Sequence, residues 1–548
     1  MPKVTLNRKV VENLIGKKLG LEELKDRISM LGTDLEEVND KEIIVEIFPN
    51  RPDMLSEEGF SRALSSFINA KTGLRQYKAK KSDYKVFIES SVKGIRDYTA
   101  CAIVKKLNLN DEKIKSLIQL QEKLHVTYGR NRKKCAIGIY PMENISLPIY
   151  FKALFPEDIH FVPLDSAVVM DGNEILEKHK TGKDYGYLLK GLKKYPIFID
   201  GKNDILSMPP VINSEDTGRV TEKTTEVFIE CSGFDFNILK RCLNIIVTSL
   251  IDMGGEAYEM TLVYPDKKIK SPDFNSEKLK LDLDYVNKIN GLELKKDEIK
   301  KLLERMGYGF DGKHALIPCY RADILHEADI ATDIAIAYGF ENFKEKIPEV
   351  STIAAEDKLE TFKRKVSEIL IGYGLLETSS YHLSNEKDLN SKMLIQDDFV
   401  KLKNVVNPDY DTLRTWLMPG AMKIFSENKH YEYPQKIFEI GRVFSKGESE
   451  TGVIEKTKLN VSLIGNGEDF TKIKQILEGL FVNLGLNLKV FEIEHNSFIA
   501  GRTGVIIVEN EDVGFIGEIH PQVLENFNLD NQVSSFELDL GKVFAKLK

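Results

Sequence analysis

The sequence predicts a multidomain α+β protein, and three observations support this fold class. Its 548 residues are too many for one hydrophobic core, since a domain usually holds roughly 100–200 residues. Amphipathic helical stripes are interspersed with short runs of β-branched and aromatic residues, which are typical of strands. The sequence has no short-period repeat, so it does not indicate a solenoid. We therefore expect about three to five domains with helices packed on sheets.

The net charge and the short apolar stretches argue against two classes, proteins that coat nucleic acid and proteins that span a membrane. The formal net charge of -8 argues against a protein built mainly to coat nucleic acid. The longest apolar stretches, such as Leu243–Met253, fall short of the roughly 20 residues that span a bilayer. The N-terminus is charged and lacks the apolar region of a signal peptide. We expect a cytoplasmic protein that does not contact a membrane.

The five cysteines are scattered and form no CxxC pair. This spacing indicates neither a structural zinc site nor a disulfide framework. We therefore interpret them as buried or incidental thiols.

The first predicted domain comprises residues 1–77. A short apolar strand, Ile43–Phe48, is followed by the turn sequence PNRPD. Ser56 is typical of a helix N-cap, and the helix after it carries apolar residues on one face up to Gly73. A basic, polar linker, Lys78–Lys85, separates this domain from the next.

The second and third predicted domains comprise residues 86–264 and 273–349. In the second, CAIGIY, YPIFID and TTEVFIECSG are typical of strands, and Leu239–Met253 predicts a helix. The third is a small helix-rich α+β module. It has a predicted helix at Asp297–Met306, a strand at Ala315–Pro318 and a second helix that starts near Ala328.

The fourth predicted domain comprises residues 355–548. Apolar residues spaced three or four apart predict one helix around residues 362–373 and another around residues 473–484. Strands are predicted at Lys436–Phe444, Leu459–Ile464 and Leu488–Ile493, and TGVIIVENEDVGFIGEI predicts a hairpin. Helices with a mainly antiparallel sheet are an α+β arrangement.

Motifs in all four blocks resemble those of one family. They are EIFPNRPDMLSEEGFSRAL, HVTYGRNRKKCAIGIY, LSMPPVINSEDTGRVTEKTTEVFIECSGFD, PCYRADILHEADIATDIAIAYGFENF, NPDYDTLRTWLMPGAMKIFSENKHYEYPQKIFEIGRVF and GFIGEIHPQVLENF. In this order they resemble the β subunits of tetrameric phenylalanyl-tRNA synthetases, in the shorter archaeal and eukaryotic form. The resemblance implies a tRNA-editing domain at 86–264, a metal-associated module at 273–349 and a class II synthetase-like domain at 355–548.

The resemblance also implies that the synthetase-like domain is catalytically inactive. Active class II enzymes grip the ATP phosphates with arginines, whose planar guanidinium groups match phosphate geometry. In the run FEIGRVFSKGE, Ser445 stands where the α-phosphate arginine is expected, and no GxGxxR motif follows near the C-terminus. ATP and the synthetic active site are therefore expected in the α subunit. We interpret Arg414, Pro419, Glu439 and Arg442 as residues that support the fold.

A metal site is implied in the third domain. The family assigns four positions there to Mg²⁺ shared with the α subunit, and they fall on Asp323, Asp329, Thr332 and Asp333. Oxygen ligands suit Mg²⁺, but Thr332 replaces the usual acidic residue and removes one negative charge. Spacing alone favours a solvated acidic helix face with Asp329 near a helix N-terminus. We expect occupancy only in the complex with the α subunit.

An editing site is implied in the second domain. A pocket for phenylalanine discriminates poorly against tyrosine, which differs by one hydroxyl. A second site that hydrolyses tyrosyl-tRNA would remove the wrong product. Ser207, Glu230 and Ser232 are the candidate pocket residues, and the last two point to one face of a strand. Alternatively, they cap turns and solvate a strand end. His125 and His179 are weaker candidates as proton acceptors.

The expected partners follow from the same resemblance. They are two α subunits with two copies of this chain, and tRNA for phenylalanine. The basic run YGRNRKK suits contact with RNA phosphates, although a solvated basic turn fits it equally well. Two other functions stay open: a free-standing aminoacyl-tRNA deacylase and a non-enzymatic scaffold for the α subunit.

Overall fold

The computed structural model describes residues 2–347 and 353–547. They form two compact units, Met1–Ile347 and Pro348–Lys548. The predicted domain end at Glu349 lies outside the described residues, as do Met1 and Lys548. The finer division into four domains stays a prediction.

The N-terminal unit alternates helices and strands along its whole length. Its helices are α1 (Arg8–Ile15), α2 (Leu21–Met30), α3 (Glu57–Phe67), α4 (Asp111–Val126), α5 (Gly172–Lys178), α6 (Lys180–Tyr185), α7 (Glu215–Gly218), α8 (Phe236–Asp252), α9 (Leu283–Asn290), α10 (Lys296–Arg305) and α11 (Glu327–Tyr338). Its strands are β1 (Lys3–Asn7), β2 (Asp34–Val38), β3 (Glu42–Glu46), β4 (Lys85–Ile88), β5 (Tyr98–Lys105), β6 (Cys135–Pro141), β7 (Ile149–Leu154), β8 (His160–Phe161), β9 (Met170–Asp171), β10 (Tyr195–Ile199), β11 (Ile205–Met208), β12 (Ile212–Asn213), β13 (Val227–Gly233), β14 (Glu256–Tyr258), β15 (Met260–Val263), β16 (Lys268–Ser271), β17 (Glu277–Lys280), β18 (Gly309–Phe310) and β19 (His314–Ile317).

Two sheets of this unit pack face to face. One is the antiparallel four-stranded sheet β14-β5-β13-β6, and the other is the seven-stranded sheet β12-β11-β10-β7-β4-β15-β16. Buried side chains of both sheets, among them Phe151, Phe198 and Phe228, fill the layer between them. The opposite face of the four-stranded sheet packs its apolar side chains with those of α4 and α8. Side chains that alternate along β13 therefore enter two different interiors.

Local sequence explains the element boundaries. Ser56 accepts a hydrogen bond from Gly59 N at the start of α3, which confirms the predicted N-cap. The predicted strands at CAIGIY, YPIFID and TTEVFIECSG correspond to β6, β10 and β13. The predicted helices of the third block correspond to α10 and α11.

The C-terminal unit is built on one large sheet. Its helices are α12 (Lys358–Gly372), α13 (Met418–Glu427), α14 (Phe470–Leu484), α15 (Pro521–Asn526) and α16 (Leu540–Ala545). Its strands are β20 (Leu376–Glu377), β21 (Leu383–Ser384), β22 (Thr412–Leu413), β23 (Gln435–Lys446), β24 (Val453–Ile464), β25 (Leu488–Glu492), β26 (Phe498–Val508), β27 (Glu511–Ile519) and β28 (Val533–Asp539).

The order of the large sheet is β20-β23-β24-β28-β27-β26-β25, and every pair except β20–β23 is antiparallel. The apolar residues of α12, α14 and α16 pack in one core with residues of the sheet, and those of α13 and α15 in another. The predicted hairpin is confirmed as β26–β27. Within the described residues, no helix is long and apolar enough to cross a bilayer.

Candidate functional site

Two of the three predicted editing residues meet at one hydroxyl group. Ser207 lies in β11 and Glu230 in β13, so they come from opposite sheets of the packed pair. Tyr140, from β6, places its phenolic oxygen 2.8 Å from Ser207 Oγ and 3.3 Å from Glu230 Oε1. The three side chains are at most 1% exposed. A small polar cluster therefore lies in an otherwise apolar interior.

The carboxyl group of Glu230 is held in its neutral form. Burial raises the pKa of Glu230 to about 8, although nearby Arg96 favours the carboxylate. Glu230 Oε2 has no hydrogen-bond partner among the described residues. An unpaired buried polar atom costs about 1–3 kcal/mol, so a bound molecule that supplied a partner would be stabilised.

Ser232 has a different role from the other two residues. Its hydroxyl accepts a hydrogen bond of 3.0 Å from Arg96 Nε, and its carbonyl accepts another from the same guanidinium group. Burial lowers the pKa of Arg96 to about 10. Ser232 therefore anchors a buried arginine at the end of β13 and does not contact the phenol.

A cavity of about 350 Å³ lies beside α4, on the face of β6 opposite to Tyr140. Its walls come from α4, β6 and the segment after β12, and they include His125, Arg132 and Arg219. Asn213 also lines the cavity, and its Oδ1 atom is 3.4 Å from the phenolic oxygen of Tyr140. Asn213 thus connects the cavity with the buried cluster.

The two candidate histidines are held by other contacts. His125 is buried, its Nε2 atom accepts from Ile137 N at 2.9 Å, and burial lowers its pKa. His179 caps α6 by accepting from Thr181 N at 3.3 Å. In residues 2–347, neither histidine hydrogen-bonds Ser207 or Glu230.

The basic run YGRNRKK forms the turn between α4 and β6. Arg132 donates to Val211 O at 2.8 Å and lies 4.2 Å from the ring of Tyr185, so it supports the fold. Arg130 and Lys133 are exposed to solvent. The turn also forms part of the cavity wall through Arg132.

The four predicted metal residues do not assemble a cation site within this chain. Arg321 forms two hydrogen bonds with Asp323, at 2.8 and 2.7 Å, and one with Asp333 at 2.8 Å. Asp329 accepts from Leu325 N and another backbone N–H at the start of α11, and exposed Thr332 donates to a carbonyl of the same helix.

The three aspartates are therefore engaged without an ion. In the described part of the chain, their oxygens do not come within 4.8 Å of one another as a set. This geometry does not fit a Mg²⁺ ion held by this chain alone.

The C-terminal unit contains a buried ion pair. Arg414 Nη1 lies 2.6 Å from Glu439 Oε1, and both side chains are buried. Ser380 Oγ donates to Glu439 Oε2 at 2.7 Å, and Arg414 Nε donates to the carbonyl of Arg442 at 2.8 Å. The side chain of Arg442 itself is exposed and pairs with Glu455.

A cavity of about 380 Å³ adjoins this pair and is lined by Arg414, Trp416 and Lys423 among others. Ser445 lies in β23 opposite Ile454 and is not part of its wall. The one arginine of this wall therefore has its charge balanced by Glu439.

Several site features were not foreseen from the sequence. The sequence indicates Tyr140 only as part of a strand, and no motif distinguishes Arg96. Cys135, Cys231 and Cys242 bring their sulfur atoms within 4.8 Å of one another in a buried cluster, although they are far apart in the sequence. The signal for Tyr140 was its spacing of two from Gly138, which puts both on one face of β6.

Known proteins resemble this chain along its whole length. The family described as the phenylalanyl tRNA synthetase beta chain CLM domain matches residues 344–540, and the tRNA synthetase B5 domain matches residues 279–340. The β subunit of phenylalanine–tRNA ligase from Pyrococcus abyssi is 39% identical over 555 residues, which covers 99% of this chain and 100% of the relative. The chain belongs to the phenylalanine–tRNA ligase β-subunit family.

Other members of this β-subunit family agree with that conclusion. The protein from Archaeoglobus fulgidus is 38% identical over 552 residues, and this alignment covers 99% of each chain. A crystal structure of an N-terminal fragment of the Pyrococcus horikoshii β subunit superimposes with a TM-score of 0.59 at 40% identity, covering 62% of this chain and 99% of the fragment. The family resemblance and the α+β fold class are therefore confirmed.

Proposed function

We propose that this chain is the β subunit of an α₂β₂ phenylalanine–tRNA ligase and that it hydrolyses tyrosyl-tRNA made in error. The complex attaches phenylalanine to its tRNA and cleaves ATP to AMP and pyrophosphate. Synthesis takes place in the α subunit, and this chain supplies editing, a subunit interface and tRNA contacts. Curated relatives that bear the β-subunit name match the full chain, which supports this assignment.

The observation that carries the editing proposal is the convergence of Ser207 and Glu230 on a phenolic oxygen. Tyrosine differs from phenylalanine by this hydroxyl alone. A site built to hydrogen-bond a hydroxyl can reject the analogue without it by about 10⁴–10⁵, because its buried polar groups are then left unpaired. The pair Ser207 and Glu230 thus has the chemistry to select tyrosine.

The hydrolytic step in this proposal uses a positioned water. Ser207 accepts a hydrogen bond from Tyr140, and no histidine hydrogen-bonds Ser207 among the described residues, so it lacks the adjacent base that a nucleophilic serine needs. Glu230 keeps its proton below about pH 8, so its role near neutrality is to recognise the hydroxyl. The tRNA acceptor end approaches over the exposed Arg130 and Lys133.

Deacylation of tyrosyl-tRNA tests this assignment. We expect the complex of this chain with its α subunit to hydrolyse tyrosyl-tRNA, and the double variant Ser207→Ala, Glu230→Ala to lose at least about 100-fold in kcat/KM. Ser380→Ala, in the other unit, serves as the control and should keep the wild-type rate. Unchanged hydrolysis in the double variant would remove the two residues from the site.

Two experiments separate the alternative functions. A free-standing deacylase would purify from its native source without an α chain, whereas a ligase subunit would purify with one in equal amount. A pure scaffold would show no deacylation, alone or in the complex. The C-terminal unit favours the ligase, because the arginine beside its cavity is neutralised by Glu439 and leaves the fold available as an interface.

The inactive C-terminal unit and the metal site have their own tests. We expect this chain alone to catalyse no ATP–pyrophosphate exchange with phenylalanine. Mg²⁺ is proposed for the complex only, where the α subunit would have to supply further ligands around Asp329. Metal analysis of the complex should show an ion that Asp329→Ala removes, and equal metal content in both would exclude this residue as a ligand.

A further inference from the structure

We propose that Tyr140 occupies the subsite for the tyrosyl side chain and must move out before a substrate binds. This inference rests on the proposed editing function and adds a residue that competes with the substrate. The phenol of Tyr140 already makes the contacts that a substrate phenol would need, to Ser207 Oγ at 2.8 Å and Glu230 Oε1 at 3.3 Å. A substrate phenol that made the same two contacts would have to occupy the position of the Tyr140 phenol.

The room for the phenol of Tyr140 is made by a glycine. A Cβ atom added at Gly138 would lie 2.1 Å from the phenolic oxygen and 2.6 Å from the ring. Gly138 pairs with Glu230 across the β6–β13 ladder, so the ring end lies over the backbone beside that carboxyl group. The space has aromatic walls, because the ring also stacks on Phe228 with centroids 5.7 Å apart. It therefore has the size and polarity of a tyrosine side chain.

Asn213 links the cluster to a cavity on the opposite face of β6. It lines the cavity of about 350 Å³, whose walls include Ile137 and Ile139, and it also reaches the phenolic oxygen of Tyr140, at 3.4 Å. Because β6 is the last strand of its sheet, a rotation of Tyr140 away from Ser207 would have to open a path around that edge, past Asn213, to reach the cavity. An incoming tyrosyl group would then replace the hydrogen bonds that Ser207 and Glu230 lose. An incoming phenylalanyl group would leave both unpaired.

Competition of this kind has a defined kinetic signature. The apparent affinity of a site falls in proportion to the fraction of molecules in which it is open. Tyr140 therefore raises KM for tyrosyl and phenylalanyl esters by the same factor, while their ratio is set by Ser207 and Glu230. Absolute hydrolysis of the correct product at a given concentration falls in the same proportion.

Removing only the hydroxyl of Tyr140 should favour the open state. In Tyr140→Phe the closed state leaves Ser207 and Glu230 without their phenol, so we expect KM for tyrosyl-tRNA to fall about tenfold with kcat within about twofold. The ratio of kcat/KM for the two esters should stay the same. Tyr264→Phe is the matched control. Among the described residues, its buried hydroxyl bonds only to the backbone of Thr99, and its KM should not change. An unchanged KM in folded Tyr140→Phe would overturn the proposal.

A small phenol tests occupancy without any tRNA. We expect the full chain with Tyr140→Ala to bind p-cresol at least about tenfold more tightly than wild type, and to bind toluene more weakly than p-cresol. Binding can be followed as a ligand-dependent rise in Tm. Equal p-cresol affinity in wild type and variant, or equal affinity for toluene, would overturn the proposal.

The two proposals can fail separately. If Tyr140→Ala binds p-cresol but no variant hydrolyses tyrosyl-tRNA, the occupied phenol subsite is supported and the editing function fails. If Tyr140→Ala does not fold, the KM of Tyr140→Phe decides. If wild type hydrolyses tyrosyl-tRNA and Tyr140→Phe has the same KM, editing stands and the competing role of Tyr140 is wrong.

Discussion

Two buried carboxyl groups, one in each unit, are neutralised in different ways. In the C-terminal unit, Arg414 and Glu439 neutralise each other, and Ser380 and a backbone carbonyl complete their hydrogen bonds. In the N-terminal unit, Glu230 is neutral because it is protonated, and one of its oxygens has no partner among the described residues. Complete pairing is what a fold needs, whereas an unpaired buried oxygen suits a group that meets a ligand. This difference agrees with the supporting role inferred for Arg414 and Glu439 and with the recognition role proposed for Glu230.

The largest expected effect comes from breaking the complete pair. Glu439→Ala leaves Arg414 buried and uncompensated, which typically costs about 3–5 kcal/mol. Trp416, the single tryptophan of the chain, is buried beside this pair, so its fluorescence during urea unfolding reports on the C-terminal unit.

Glu455→Ala is the matched control, because it removes the exposed partner of Arg442 on the neighbouring strand. Its cost should stay below about 1 kcal/mol. A similarly small loss in Glu439→Ala would show that the buried pair stabilises the unit no more than an exposed pair does.

A pH dependence of intermediate size is expected from Glu230. Its pKa is about 8 in the folded chain, against 4.5 for the ordinary group. Between these pH values the unfolded chain has lost the proton and the folded chain keeps it. The free energy of unfolding of wild type therefore falls by up to about 1.4 kcal/mol for each unit by which the pH rises. Glu230→Gln removes this dependence. Its stability relative to wild type should therefore rise from pH 5 to pH 8, as measured by amide hydrogen exchange in β13.

Glu256→Gln provides a control of opposite sign. Hydrogen bonds from Lys80 and Lys106 lower the pKa of Glu256 from 4.5 to about 2, so its contribution is lost as the pH falls from about 4.5 through about 2. The difference between Glu256→Gln and wild type should thus stay constant from pH 5 to pH 8. If Glu230→Gln showed the same constant difference, its carboxyl group would not be protonated in the folded chain.

The smallest expected effects come from two serine variants, which separate a loss of stability from a loss of deacylation. Ser207→Ala and Ser380→Ala each remove one hydroxyl that bonds a buried neighbour, and each should cost about 1 kcal/mol. Only Ser207→Ala should alter the deacylation of tyrosyl-tRNA. A comparable loss of deacylation in Ser380→Ala would mean that the assay reports on general stability.

Local signals predicted the elements, and long-range contacts decided the site. The Ser56 cap and the β26–β27 hairpin were predictable because turn residues and apolar spacing act over a few neighbours. The approach of Tyr140 to Ser207 was not, because these residues are 67 positions apart and come from different sheets. Periodicity predicts which face of a strand a residue occupies, but not which sheet lies opposite that face.

The predicted metal ligands show that sequence patterns can also miss contacts between residues close in the sequence. Asp323 and Asp333 matched the family positions, and the sequence also placed Arg321 two residues before the first of them. Which charge compensates them depends on where the Arg321 guanidinium group points, and in the structure it reaches both carboxylates. A pattern of acidic residues therefore identifies possible ligands and leaves open whether an arginine already neutralises them.

The position of β28 has a consequence for synthesis of the chain. This strand comes last in the sequence among those of the large sheet, but it lies between β24 and β27 in the interior of that sheet. While the chain emerges from the ribosome, β23–β24 and β25–β27 can form only as separate ribbons, each with an unpaired edge. We therefore expect nascent chains that stop before residue 533 to aggregate or recruit chaperones, and those that include Asp539 to close the sheet.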